Sequence, residues 1–223
     1  MALTPVVLIC GDAPLPLPLG SISASSAPTV PDKDDFDEVF SKLHVVADPR
    51  LIVVGSDAAL AATLTRLMRT ERLHIELAYV AEHRSDATEA YHLSAGARGA
   101  RTALKGTAKP VPLIRDDAGI ALVGCATVTG PDGAPLVGEA YVDDTRLFSG
   151  TTTNMNITPT PRMPGLRASV EPRRRWLPRR WVEGRAVQLG SPAAALTRDG
   201  VPNPRDVKRS TFYRHDQEWL LVR

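Results

Sequence analysis

The sequence predicts an α/β protein in which a parallel amino-terminal sheet is followed by a β-rich carboxy-terminal half. Up to about residue 105, apolar runs typical of strands alternate with segments of helical periodicity, an order that favours a parallel sheet with right-handed crossovers. After about Gly106, prolines and glycines recur every few residues and β-branched runs replace the helical periods. We therefore predict an α/β domain at residues 1–108 and a β-rich domain at residues 109–223.

The first predicted elements are a short buried strand, a long loop and a helix. Residues 6–10 (VVLIC) form an apolar run that ends at a glycine. Residues 13–31 are crowded with Pro, Ser and Gly, which predicts a surface loop. Residues 32–43 place apolar side chains at helical spacing behind an acidic start, which suits the positive end of a helix dipole.

The most informative segment is 51–68, LIVVGSDAALAATLTRLM. It predicts a buried strand at 51–54, a glycine turn, and a helix at 56–69 that opens on Ser56 and Asp57. The start of a helix exposes unpaired backbone N–H groups, so an anion is stabilised there without a side-chain cation. The turn therefore predicts a phosphate site, although it holds one glycine where phosphate-binding loops use several.

Three more elements complete the predicted α/β half. Residues 73–80 predict a third strand, whose mixed polar and apolar spacing suggests an exposed position. Asp86 and Glu89 have the spacing of a capping box for a short helix. Residues 97–105 predict a further helix.

The second half predicts mainly strands separated by turn signals such as Pro-Asp-Gly and Asp-Gly. The predicted strands lie at residues 111–114, 120–128, 138–142, 155–158, 186–189 and 219–222.

Composition restricts the class of protein but not its partner. Apolar residues make up 43% of the chain and charged residues 23%, as in soluble globular proteins, and the formal charge of +2 is too small to indicate a partner. Cys10 and Cys125 each lie in an apolar run without another ligand at metal-binding spacing, which predicts reduced core thiols and a cytoplasmic protein. No apolar run approaches the length of a transmembrane helix, so any membrane contact is expected to be peripheral.

With this organisation, the chain resembles the superfamily of diacylglycerol kinases and sphingosine kinases, which are relatives of NAD kinase. Their nucleotide loop reads GGDGT, and its counterpart in this chain is Gly55, Ser56, Asp57, Ala58 and Ala59. A second family motif, GTxND, corresponds to residues 96–100 and retains Gly96. A third, DGE, corresponds to Asp199-Gly200-Val201 and retains the Asp that the family is thought to use as general base.

The resemblance implies a Rossmann-like parallel α/β sheet followed by a β-rich domain, as in lipid kinases. It implies ATP held by Gly55, Ser56, Asp57 and Gly96, with Asp199 as the catalytic candidate and Mg²⁺ required only if the protein is active. Because two loop glycines, the threonine, the Asn-Asp pair and the Glu are replaced, we expect a catalytically impaired relative, or pseudokinase. If it is active, it phosphorylates a lipid or small-molecule hydroxyl.

Simpler structural roles remain open for these residues. Ser and Asp are preferred helix caps in any protein, and Asp-Gly is a strong hairpin signal. The adjacent pairs Asp116-Asp117 and Asp143-Asp144 are more typical of turns than of a magnesium site, and we predict no metal centre. The five histidines show no paired-ligand spacing.

A second candidate function comes from residues 162–185, which carry eight arginines against two glutamates, a local charge of +6. Arginine with interleaved tryptophan suits contact with a protein partner or an anionic membrane, and less well a nucleic acid. The alternative function is therefore a non-enzymatic interaction protein. The residues expected to make the contact are Arg173, Arg174, Arg175, Trp176, Arg179, Arg180 and Trp181.

Overall fold

The computed structural model describes residues 5–44, 49–171 and 178–223. The chain forms two compact units. The first contains the chain up to Val111 together with Gln217–Arg223, and the second is Pro112–Asp216. The sequence placed the domain boundary at residues 108 and 109 and assigned the carboxy terminus to the second domain, whereas in the structure the chain returns to the first unit.

Helices and strands alternate through the first unit, and strands dominate the second. Among the described residues, the α-helices are α1 (Phe36–His44), α2 (Asp57–Arg69), α3 (Asp86–Ala90) and α4 (Gly96–Lys105). The strands are β1 (Pro5–Cys10), β2 (Ala24–Ala27), β3 (Arg50–Val54), β4 (Glu76–Val80), β5 (Ala108–Val111), β6 (Ile114–Asp116), β7 (Ala121–Leu122), β8 (Ala126–Thr129), β9 (Leu136–Val142), β10 (Thr145–Thr152), β11 (Met155–Pro159), β12 (Leu166–Val170), β13 (Val182–Gly184), β14 (Ala186–Arg198), β15 (Val201–Pro202), β16 (Val207–Arg214) and β17 (Trp219–Val222).

The first unit contains a mostly parallel sheet in the order β2-β1-β3-β4-β17-β5. Neighbouring strands run parallel except β17 and β5, which are antiparallel. This confirms the predicted α/β class with a parallel sheet. The chain leaves β1 toward β2 on one side and later places β3 on the other, so the carboxyl ends of β1 and β3 flank a topological switch point, where ligands bind in open α/β sheets.

Two predictions about this sheet were wrong. The strand at 73–80 was expected to be exposed, but β4 lies between β3 and β17 with four of its five residues buried. The polar residues that suggested exposure lie before β4 or at its first position. The segment 13–31 was predicted as loop, yet it contains the edge strand β2, whose sequence ASSA lacks the apolar signal of a buried strand.

Helix capping explains where the helices begin. Ser56 is the N-cap of α2, as predicted, and its hydroxyl accepts a hydrogen bond from the Ala59 N–H. The capping box of α3 was predicted one residue too late, because Ser85 and Thr88 form it rather than Asp86 and Glu89. A Ser or Thr side chain can accept a hydrogen bond from an N–H group of the first helical turn when the backbone of the cap residue is extended. Ser85 has that conformation.

The last strand belongs to the first unit because of its apolar character. The sequence WLLV is predicted correctly as a strand but was assigned to the β-rich half. In the structure β17 pairs with β4 and β5, and three of its four residues are buried. Trp219 packs edge-on against Tyr91, with ring centroids 5.4 Å apart. A strand that is apolar on both faces fits the interior of a parallel sheet rather than a half-solvated antiparallel one.

The second unit is an antiparallel β structure in the order β13-β12-β11-β8-β14-β16-β6-β7, with β9 beside β14 and β10 beside β9. Its core is aliphatic and includes Leu136, Ile157 and Leu196. The strand predicted at 186–189 extends to Arg198 through a register shift after Gly190. Sequence analysis did not predict β10, β12 or β16, which carry several polar residues each.

A buried arginine joins the sheet of the first unit to α4. Arg50 at the start of β3 is 2% exposed, and its guanidinium donates to the carbonyls of Ala103, Leu104 and Gly106 at 3.0 Å. It also forms an ion pair with Glu76 on β4, with Nη2 and Oε2 2.6 Å apart. The arginine therefore satisfies carbonyls that the end of a helix leaves unpaired, and places a cation at the negative end of the helix dipole.

We predict that Arg50→Met destabilises the protein by about 3 kcal/mol, because it leaves Glu76 and the helix carbonyls without their donor. Urea unfolding monitored by circular dichroism measures this change. The matched control is Arg101→Ala on the exposed surface of α4, for which we expect a change within about 0.5 kcal/mol. Equal effects of the two substitutions would contradict this role of Arg50.

Candidate functional site

The turn between β3 and α2 lies close to the end of β1 because Gly55 has no side chain. A Cβ on this buried residue would lie 3.0 Å from the Cβ of Cys10 and 3.3 Å from that of Ala59. Burial, and secondarily the Asp35 carboxylate, raise the pKa of the Cys10 thiol to about 12, so Cys10 is an unreactive packing residue. Gly55 thus lets β1 and the start of α2 approach closely at the switch point.

The amino terminus of α2 has free donors beside this turn. The hydroxyl of the exposed Ser56 accepts a hydrogen bond from the Ala59 N–H at 3.3 Å. The N–H groups of the first two helical residues, Asp57 and Ala58, have no hydrogen-bond acceptor within the described part of the chain. These groups and the positive end of the helix dipole form a site that favours an anion.

The carboxylate of Asp57 is held by two donors from neighbouring elements. Oδ1 accepts a hydrogen bond from the Tyr79 hydroxyl at 2.7 Å, and Oδ2 accepts one from the Ala87 N–H at 3.0 Å. The Tyr79 hydroxyl also lies 3.1 Å from the carbonyl oxygen of Gly55. Asp57 therefore joins α2 to β4 and to the start of α3, and both of its oxygens are engaged within the protein.

A second carboxyl group lies near Asp57 at the start of α3. Partial burial, followed by the carboxylates of Asp57 and Glu89, raises the pKa of Asp86. A raised pKa means that the folded protein disfavours the ionised form, first because the carboxyl group is partly removed from water and then because two other carboxylates lie near it. If a phosphate binds at this corner, positively charged side chains must lie near it to offset the negative charge of these carboxylates.

Gly96, the counterpart of the second motif, is the first residue of α4. It has φ of +57°, and its N–H donates to the Ala81 carbonyl at the end of β4 at 2.8 Å. The N-cap residue Ala95 has no side chain that can cap the helix. At Gly99 a Cβ would overlap the carbonyl oxygen of Ser94, so this glycine also permits a close approach of backbone segments.

A cavity of about 440 Å³ in the first unit lies beside the start of α4. Its lining includes Arg84, His92 and Arg98, which can carry positive charge, and also Glu89, whose Oε1 lies 3.4 Å from Nη2 of Arg84. Thr88 also lines it and follows directly in the chain after Ala87, whose N–H donates to Asp57. Sequence analysis missed these side chains because they share no motif and come from the segment before α3, the loop after α3 and α4.

Asp199 lies in the second unit, in the turn between β14 and β15. Asp199 and Gly200 have φ of +47° and +82°, as in the hairpin turn that the Asp-Gly pair favours. The carboxylate oxygens accept hydrogen bonds from consecutive N–H groups at 3.1, 2.7 and 3.1 Å, and these belong to Val123, Gly124 and Cys125. These bonds interrupt the strand predicted at 120–128, which the structure divides into β7 and β8.

The Arg/Trp segment is described in part. Arg173, Arg174, Arg175 and Trp176 lie outside the described residues. Arg179 and Arg180 are exposed, and Trp181 is half-buried. The guanidinium of Arg167 stacks 4.4 Å from the Trp181 ring centroid and that of Arg179 lies 5.9 Å away, so Trp181 is flanked by two cations.

The described residues hold neither a cluster of metal ligands nor a membrane-spanning helix. They contain no group of three or more His, Cys, Asp or Glu side chains that could hold a metal ion. None of the described helices is long and apolar enough to cross a bilayer.

Comparison with known proteins shows which solved structures share this fold. No protein-family model matches the sequence, and no curated protein matches it. Among solved structures, one assigned as a diacylglycerol kinase from Bacillus anthracis matches with a TM-score of 0.70 at 10% identity, covering 100% of this chain and 97% of the other. The chain has the fold of lipid and NAD kinases.

Two further structures extend this similarity. An NAD kinase from Archaeoglobus fulgidus, solved in complex with ATP, matches with a TM-score of 0.62 at 11% identity, over 98% of this chain and 93% of that one. A yeast NADH kinase complexed with NADH matches with a TM-score of 0.56 at 10% identity, over 100% of this chain and 84% of the other. The resemblance found in the sequence is thus confirmed for the fold, and identities this low do not extend it to chemistry.

The contacts of Asp57 lead to a specific prediction. Asp57→Ala removes the acceptor of the buried Ala87 N–H and should destabilise the protein by about 2 kcal/mol. Asp57→Asn should cost less than about 1 kcal/mol, because its carbonyl can accept from Ala87 while its amide donates to Tyr79, whose proton then turns to Gly55. Chemical denaturation of both variants tests this, and equal losses would contradict the described hydrogen-bond arrangement.

Proposed function

We propose that this protein binds a nucleotide through its phosphate groups at the start of α2 and transfers phosphate poorly or not at all. The observation that carries the proposal is the combination of free N–H groups on Asp57 and Ala58 with an Asp57 carboxylate already engaged by Tyr79 and Ala87. The first feature favours anion binding, and the second removes a carboxylate from catalytic use.

Nucleotide binding is supported by the position of this corner in the fold. It lies at the switch point of a parallel sheet, where the general rule for open α/β folds places ligands. The cavity beside the start of α4 supplies Arg84, His92 and Arg98, and arginine suits phosphate because its guanidinium can donate two parallel hydrogen bonds. ATP is the first ligand to test, since one structure of the same fold was solved with it.

Impaired catalysis is supported by the aspartates that remain in the first and third motifs. Asp57 accepts two hydrogen bonds from within the first unit, and Asp199 accepts three from backbone N–H groups of its own unit. A carboxylate whose oxygens are used in this way is a poor acceptor for a substrate proton and a poor ligand for Mg²⁺. The described residues therefore fit ATP better than they fit a protein-held magnesium ion.

A second candidate function is a non-enzymatic interaction protein that uses the Arg/Trp segment. The flanking of Trp181 by Arg167 and Arg179 favours it, because a half-buried aromatic side chain between cations presents a fixed positive surface. This surface could recognise a protein, an anionic membrane or, less well, a nucleic acid. The two candidate functions use different units and do not exclude each other.

Thermal unfolding with ATP, ADP and NAD, each with and without Mg²⁺, tests the first proposal. We expect ATP and ADP to stabilise the protein without Mg²⁺, by about 2.7 kcal/mol at a ligand concentration 100 times Kd. Arg98→Ala should weaken nucleotide binding about tenfold, whereas Arg101→Ala on the same helix should leave it unchanged. Asp57→Asn should retain binding, because the proposal gives its carboxylate no contact with the ligand.

Two results would overturn the proposal in different ways. Absence of any nucleotide-induced stabilisation in the wild type would remove nucleotide binding. Mg²⁺-dependent transfer of the γ-phosphoryl group to a lipid or sugar hydroxyl, abolished by Asp199→Asn, would show an active kinase instead of an impaired one.

A further inference from the structure

A second cavity lies wholly within the β-rich unit, at the seam between two strand edges. Its volume is about 330 Å³. One wall is formed by the first residues of β10 and the other by the end of β12 and the start of β13. The lining residues are Thr145, Arg146, Leu147, Val170, Pro178, Arg180 and Val182.

Both strands at this seam have an edge without a strand partner in the described residues. β10 pairs with β9, and β13 pairs with β12. β13 is the terminal strand in the sheet order, and β10 is paired on one side only. The seam therefore presents backbone N–H and C=O groups that an additional strand could use.

The edge of β10 carries little of the protection that edge strands commonly have. Its eight residues, TRLFSGTT, contain neither proline nor lysine nor an acidic side chain, and Arg146 is its single charge. Its pairing with β9 shifts register once, between Arg146 and Phe148, and is regular from Phe148 to Thr152. Most residues of β10 are exposed, so the regular part of this edge is open to pairing with another chain.

The chemistry of the cavity defines the residues that fit it. Leu147, Val170 and Val182 pack against the core of the unit and form an apolar floor. Arg146 and Arg180 are exposed and lie at the rim. An apolar side chain therefore fits the floor, and acidic residues on either side of it complement the rim.

We propose that this seam, between β10 and β13, binds an extended acidic peptide segment of a partner protein by strand addition. The backbone of the peptide pairs with the free edge of β10 alone, one apolar side chain enters the cavity, and flanking carboxylates pair with Arg146 and Arg180. This inference concerns the second unit and is independent of nucleotide binding, and it assigns a partner class to the interaction function.

Two other occupants fit the seam less well. A second copy of this chain that docked through its own β10 would offer a strand with no acidic side chain, so Arg146 and Arg180 at the rim would gain no partner. A membrane surface would contact protruding apolar side chains and would leave the backbone edge unpaired, which is costly in a lipid environment. An acidic strand satisfies the edge, the floor and the rim together.

The experiment selects short random peptides displayed on phage against the immobilised full-length protein, and measures the affinity of synthetic versions by fluorescence polarisation. We expect selected peptides to contain an apolar residue flanked by Asp or Glu. Arg146→Glu combined with Arg180→Glu should weaken their binding at least about tenfold, equivalent to about 1.4 kcal/mol. The matched control, Lys208→Glu with Arg209→Glu at two exposed positions of β16, should change it less than about twofold.

Methylation of the peptide backbone separates strand addition from charge attraction alone. Alternate residues of an extended peptide direct their N–H groups to the same edge, so N-methyl groups on every second residue block one edge only. Methylation of the residues that face the protein should abolish binding, whereas methylation of the intervening residues should not. The proposal would be overturned if the two sets of N-methylated peptides lost binding equally, if the selected peptides lacked acidic residues, or if no peptide were selected. Binding only to vesicles of phosphatidylcholine and phosphatidylserine, or a dimer in sedimentation velocity that the Arg146→Glu, Arg180→Glu variant disrupts, would also overturn it.

Discussion

The carboxylate of Asp57 is the interaction on which the arrangement of the candidate nucleotide site depends. By accepting from the Tyr79 hydroxyl on β4 and the Ala87 N–H on α3, it fixes the start of α2 relative to the elements that follow it in the chain. Both oxygens of this carboxylate are thus engaged by donors from other elements. A residue that the motif analysis assigns to a phosphate-binding loop thus has a structural role beside the proposed anion site.

The sequence predicted those features that local chemistry determines. Ser56 as the N-cap of α2 follows from the preference of hydroxyl side chains for extended caps, and the Asp199-Gly200 turn follows from the tolerance of Asp and Gly for positive φ. The alternation of strands and helices was sufficient to predict the parallel sheet and, through the three motifs, the kinase fold. These signals lie within a few residues of one another and need no knowledge of the tertiary structure.

The features that sequence missed depend on packing between distant segments. β2 has no apolar pattern and forms because β1 offers it an edge, and β17 joins the first unit because its apolar faces fit between β4 and β5. Arg84, His92 and Arg98 line a cavity that forms only after α3 and α4 are placed. The hydrogen bonds to Asp199 link residues about 75 positions apart in the chain and cannot be read from the Asp-Gly pair.

Similarity of fold at 10% or 11% identity leaves the chemistry to be decided by the site itself. The most direct measurement follows backbone amide resonances of the isotope-labelled protein during titration with ATP. If the phosphates bind at the helix start, the amide resonances of Asp57 and Ala58 shift in a saturable manner. The Ala87 amide keeps its hydrogen bond, so its resonance shifts less than those two. Saturable shifts that leave Asp57 and Ala58 unchanged, or a large shift at Ala87 that shows release of the Asp57 carboxylate, would contradict this view of the site.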